Sequence, residues 1–165
     1  MSSSGTLAGL RVCAAELSTP ARVFAMAGRF GEPDPDLPEL AARIRELLAG
    51  AAADEAWRRF LPGYVPPPVP AVLAALEPVG PAGAAALLAE LAGADLLWPD
   101  HRHLPAATAR RAADRVVSLL GPDGSWWTNR DAACGAVNGL TPVLDTLLAG
   151  TDGTRFFLLL QLADD

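Results

Sequence analysis

The sequence predicts an α+β fold: a layer of about six to seven short helices packed on a small, mostly antiparallel C-terminal sheet. Three observations carry this. Helical spacing and helix punctuation recur through the first 120 residues. Past Gly124 the chain turns aromatic and β-prone. Finally, Thr151-Asp152-Gly153-Thr154, with Asp-Gly at its centre, is a strong hairpin signal before an apolar run.

The elements follow in order. Leu7, Leu10, Ala14 and Leu17 share one helical face. Ser18 or Thr19 then caps a second expected helix, with Pro20 in its first turn, Val23, Met26, Ala27 and Phe30 as its stripe, and Gly31 as its stop. A third helix starts at Asp36, with Glu39 three residues on in capping-box spacing, and runs through Leu40, Ile44, Leu47 and Leu48 to Gly50. Asp54 opens a brief fourth, carrying Trp57, Phe60 and Leu61. Residues 62–70 hold five prolines and are read as an extended strap across the domain, with Tyr64, Val65 and Val69 available to pack. A short helix through Val72 and Leu76 follows, then an Ala/Leu helix from Pro81, then an amphipathic one from Pro105 to Leu120, stopped by Gly121-Pro122. Residues 144–149 are expected to pair with 155–162 as a hairpin, and Trp126–Asn129 to join the same sheet. The helix frame after Thr141-Pro142 competes with that assignment. The whole of 1–165 reads as one domain: a helical part (1–61), the strap (62–70), then helices followed by the β region (71–165).

Composition excludes several chemistries. All 13 basic residues are arginine. Schiff-base catalysis, lysine-anchored pyridoxal chemistry and a lysine-dependent phosphate loop are therefore out. The net charge of −6 argues against nucleic acid and for a basic partner or plain solubility. The apolar stretch from Ala82 to Trp98 is interrupted by Glu90 and Asp95, too short and too charged for a membrane span. The opening Met-Ser-Ser-Ser-Gly lacks a signal-peptide pattern, so Cys13 and Cys134 are read as reduced cytoplasmic thiols, and the location as cytoplasmic. Half of the chain is apolar, which makes a homodimer a reasonable expectation.

Chemistry concentrates in Trp98-Pro99-Asp100-His101-Arg102-His103. In extended chain, residues i and i+2 point the same way, so His101 and His103 share a side, and Asp100 can orient an imidazole acting as acid or base. The plainer reading is a polar loop ahead of the next helix. In Trp126-Trp127-Thr128-Asn129, strand alternation sends one indole into the core and leaves the other facing a cleft, a partner or water, with Asn129 an orienting donor or a turn former. The sharpest expectation is one pocket holding Trp98, His101, His103, one of Trp126 or Trp127, and Asn129. No metal set or cofactor motif is present: two histidines fall short of a zinc site, and no glycine-rich dinucleotide loop follows a strand. Cys134 beside Gly135 has no nucleophile-type flank, and Asp164-Asp165 reads as a solvated acidic end.

Two functions remain. The preferred one is a non-catalytic, acidic, cytoplasmic interaction protein, inhibitor- or immunity-like in one version, that binds a basic protein or itself. The other is a small cofactor-independent isomerase, cyclase or hydrolase that binds a small molecule in the Trp-lined pocket and uses His101 or His103.

Overall fold

The structure, a computed structural model, describes residues 2–32, 35–130 and 139–164. Its elements run α1 (Ser3–Leu17), β1 (Val23–Arg29), α2 (Leu37–Ala53), α3 (Val69–Ala75), β2 (Glu77–Val79), α4 (Pro81–Gly93), α5 (Ala106–Leu120), β3 (Ser125–Thr128), β4 (Leu144–Thr151) and β5 (Arg155–Ala163). The fold is α+β. Five helices are described, and the two that the sequence reading over-counts are identifiable.

The expected helix at 20–30 is strand β1. Pro20 sits in a tight turn, not a helix start. Ala21 takes a left-handed φ of 66° there, and Thr19 and Val23 exchange both backbone hydrogen bonds at 3.0 Å. The stripe Val23/Met26/Ala27 misled because this strand is apolar on both faces: Val23, Ala25 and Ala27 meet one core while Phe24 and Met26 meet another. The expected helix at 54–61 is a run of turns, with Trp57 N–H donating to Asp54 and Leu61 N–H to Trp57, both at 2.9 Å. The Trp57 indole N–H ties these turns to the Ala21 carbonyl at 2.6 Å.

The other helices start where local chemistry directs. Ser2 Oγ accepts from Gly5 N–H at the head of α1, and Asp36 Oδ1 accepts from Glu39 N–H at the head of α2. The 144–149/155–162 hairpin is present as β4 and β5, and residues 141–150 hold no helix.

All strand pairs are antiparallel, in the order β1-β5-β4-β3-β2. The sheet is therefore not wholly C-terminal; its two outer strands come from residues 23–29 and 77–79. Helices cover both faces instead of forming one layer. Residues of α1, α4 and α5 pack with Trp126, Leu148, Phe157 and Leu159, while α2 and α3 pack with Leu147, Leu158, Leu160 and Leu162 on the reverse. That double cover explains why β5 is an unbroken apolar run. The proline-rich segment crosses the second face: Tyr64 and Val69 pack into it, and Arg45 Nε holds the Pro67 carbonyl at 2.8 Å. Among the described residues no helix is long and apolar enough to cross a membrane.

Candidate functional site

The histidine segment closes a loop that leaves the C-terminal end of α4. Ala94 and Arg102 bridge antiparallel, with Asp95 N–H donating to the His101 carbonyl (3.0 Å) and His103 N–H to the Gly93 carbonyl (2.8 Å). At the tip, His101 N–H bonds the Trp98 carbonyl at 2.8 Å, so Pro99 and Asp100 sit in a tight turn. The loop is fastened from below. Gln161, buried on β5, donates to the Leu91 and Ala94 carbonyls and accepts from Leu96 N–H at 2.8 Å. The Leu91 carbonyl belongs to the last turn of α4, where carbonyls lack a helical partner, so one side chain both caps the helix and anchors the loop. Asp95 Oδ1 then accepts from Leu97 N–H (2.9 Å) and Trp98 N–H (3.0 Å).

Two imidazoles come together here, but unequally. Their ring centroids are 5.7 Å apart, edge to face. His101 is exposed on the tip, whereas the His103 side chain is only 4% exposed. The carboxylate beside His103 is Asp95, with Oδ2 3.6 Å from Nε2, too far for a hydrogen bond; Nε2 has no partner at all. Burial pushes the His103 imidazole below its usual range; Asp95 opposes this, while His101, Arg22 and Arg102 reinforce it. Burial thus disfavours the charged form of His103. Asp100, the carboxylate singled out in the sequence, is exposed on the turn.

The expected pocket is not assembled. Trp98 does not lie against the sheet; it projects from the loop, 69% exposed. Trp126 is buried on the α4/α5 side, its six-membered ring filling the place where a Cβ on Gly150 would stand. Trp127 points to the opposite face, half-buried against the α2/α3 core. The alternation expected of the two indoles holds, with Trp127 on packing and not on a cleft.

Asn129 serves a second buried station. Its Nδ2 donates to Asp145 Oδ1 at 2.6 Å and its Oδ1 accepts from Leu147 N–H at 2.8 Å. The fully buried Asp145 carboxylate also accepts from Thr141 N–H and Thr141 Oγ1, both at 2.9 Å, and from Leu140 N–H at 3.3 Å. Tyr64 Oη donates to the Leu140 carbonyl at 2.8 Å. Burial raises the Asp145 carboxyl above its ordinary value against these donors, and burial followed by Asp145 pushes the Tyr64 hydroxyl up to about 12. Every polar atom here is occupied in holding the chain on either side of β3 and β4. Cys13 is buried, its thiol pushed up chiefly by burial; Cys134 and Asp165 lie outside the described residues. Among the described residues no three His, Cys, Asp or Glu gather where they would hold a metal ion.

Sequence reasoning passed over Asp95, Asp145 and Gln161. Asp95 and Gln161 are lone polar residues inside apolar runs, and Asp145 interrupts one together with Thr146, the pattern of buried polar side chains. Set against known proteins, the chain matches no family model, no curated protein and no solved structure.

Proposed function

We propose that this chain is a non-catalytic protein-interaction domain that presents Trp98 to a protein partner from a braced loop. The observation carrying this reading is the contrast between the loop's anchorage and its tip. Gln161, Asp95 and two backbone bridges fix the loop, and the indole they hold out is the largest of the exposed apolar side chains. Exposed tryptophan is the residue type most enriched at binding hot spots, and a preorganised loop avoids the ordering cost of association. A net charge of −6 supports a partner with a basic surface, including an inhibitor- or immunity-like role. A reducing, cytoplasmic setting belongs to the same reading, with the free, buried Cys13 in its support. The enzyme reading has less behind it: His103 is sealed under the loop, and its expected companions Trp126, Trp127 and Asn129 are spent on packing and on Asp145.

Affinity capture with three forms of the protein tests the proposal. The wild type and His101→Ala recover the same protein, whereas Trp98→Ala recovers it with affinity reduced roughly 30-fold, the cost of truncating a hot-spot tryptophan. Equal recovery by Trp98→Ala overturns the proposal. Loss confined to His101→Ala moves the function to the imidazoles.

A further inference from the structure

We propose that the groove between the C-terminal halves of α1 and α2 binds a small apolar amine, which enters as its ammonium form, pairs with Asp54 at the closed end and lays its hydrocarbon along β1. The site is separate from the Trp98 loop, so either reading can fail alone.

The groove holds about 570 Å³, within the range of small-molecule sites. Its floor is apolar, formed by Phe24, Ala25 and Met26 of β1, with Ala15 of α1 and Leu47 of α2 as walls. A glycine keeps it open: a Cβ on Gly50, on the α2 wall, would meet nothing within 4 Å. One end is blind. The Thr19–Ala21 turn stands there, and Thr19 takes both outward backbone groups of Val23 at 3.0 Å. A strand added along β1 would run into that turn, whereas a compact molecule fits the length that remains. Ala21 holds the turn in a left-handed φ of 66°, and the Trp57 indole N–H fixes its carbonyl, so the blind end is built before any ligand arrives.

Charge selects the occupant. The carboxylates of Glu46 and Asp54 line the groove and no arginine does. Glu46 is already paired with Arg43 at 2.9 Å. Asp54 stands at the blind end, three residues before the Trp57 that bonds Ala21. It spends Oδ1 on Ala56 N–H at 2.9 Å, and its other oxygen meets no described residue. Both helices end at the groove, at Ser18 and Asp54, and neither carries a basic residue in its last turn, so their negative poles add to the carboxylate. Arg58 reaches the Ala53 carbonyl but lines a different hollow. Leu162 N–H bonds the Arg22 carbonyl, so even-numbered residues of β1 carry the ladder to β5 and the Ala25 carbonyl turns outward, an acceptor on the groove floor. An anion of the same shape would meet like charge there.

Titration of the isotope-labelled full chain with n-octylammonium chloride at low salt, followed by amide NMR, tests this. Saturable shifts are expected at Ala25, Met26, Gly50 and Ala51, with residues 94–103 unmoved. The uncharged n-octanol should move the same amides with affinity roughly ten-fold weaker, and octanoate should not bind. Asp54→Asn keeps an Oδ1 for Ala56 N–H and should bring octylammonium down to the affinity of octanol. Gly50→Phe fills the groove from a helix position with open space beside it, where any side chain favours the helix over glycine. It should abolish binding of both compounds with an unchanged far-UV circular dichroism spectrum. Absence of saturable shifts at the groove amides overturns the proposal, as does octanoate binding as tightly as octylammonium. So does an octylammonium affinity that Asp54→Asn leaves unchanged, which would reduce the groove to an apolar slot without charge preference. Binding that persists in folded Gly50→Phe overturns it too.

Discussion

The molecule holds two buried polar stations that solve the same problem in opposite ways. At Asp145 a formal charge is surrounded by donors from Asn129, Leu140 and Thr141, with nothing left unpaired on the carboxylate. At Gln161 a neutral amide makes three good bonds, while its neighbours are left slack: His103 Nε2 and Thr146 Oγ1 have no partner, although Thr146 sits directly opposite Gln161 in the sheet. The difference teaches how much satisfaction burial demands. An unpaired hydroxyl or neutral imidazole costs on the order of 1–3 kcal/mol and can be carried, whereas a carboxylate short of donors is far more expensive and must be saturated.

Breaking the charged station should have the largest effect. Asp145→Ala leaves the Asn129 amide and two backbone N–H groups buried without an acceptor, while the Thr141 hydroxyl keeps the Val143 carbonyl, and is expected to cost about 3–5 kcal/mol in denaturant unfolding. Asp145→Asn should recover little of this, because its amide turns a donor toward donors. If Asp145→Asn proves as stable as the parent, the carboxylate is not the organising charge. Gln161→Leu comes next, at about 2 kcal/mol, with a local signature: backbone amides of residues 94–103 should exchange faster while those of β4 keep their protection. Uniform loss of protection would show that the amide supports the whole sheet and not the loop alone.

A pH titration then sharpens the contrast. Burial lowers the folded pKa of His103 beneath the ordinary histidine value of about 6.5, so the unfolded chain takes up the proton first. Stability should fall as pH drops through about 6.5 and level off below the depressed folded value. His103→Gln should flatten that limb, and a limb that persists in the variant assigns it elsewhere. Smallest is Thr146→Val, which removes an unpaired buried hydroxyl at nearly constant shape and should be neutral or slightly stabilising. A clear loss of stability there would reveal a hydrogen bond at Thr146.

These stations also mark where the sequence stops being readable. Helices α1, α2, α4 and α5 were legible because caps, prolines and one-sided apolar stripes agreed, and the β4–β5 hairpin because Asp152-Gly153 fixed its turn. β1 was not, since a strand covered on both faces satisfies helical and strand periodicities alike. The local pairing of His101 with His103 was visible in their spacing. Asp145 was visible only as an interruption, because its donors arrive from 4 to 16 residues away, whereas Asp95 accepts from Leu97 and Trp98, two and three residues on, a local turn hidden inside an apolar run. Trp98, expected beside the sheet because it immediately precedes the histidine segment, is instead exposed at the tip of a turn in which Asp95 accepts from its backbone N–H.

The position of β5 has a consequence for how the chain is made. This strand lies between β1 and β4, and Ala27 and its partner Phe157 are 130 residues apart. Leaving the ribosome at roughly 5–20 residues per second, β1 spends several seconds or more as apolar chain with no strand to join. Closure so distant in sequence favours slow folding and exposes the nascent segment to chaperones. The growing polypeptide therefore passes its most vulnerable interval before the middle of its own sheet exists.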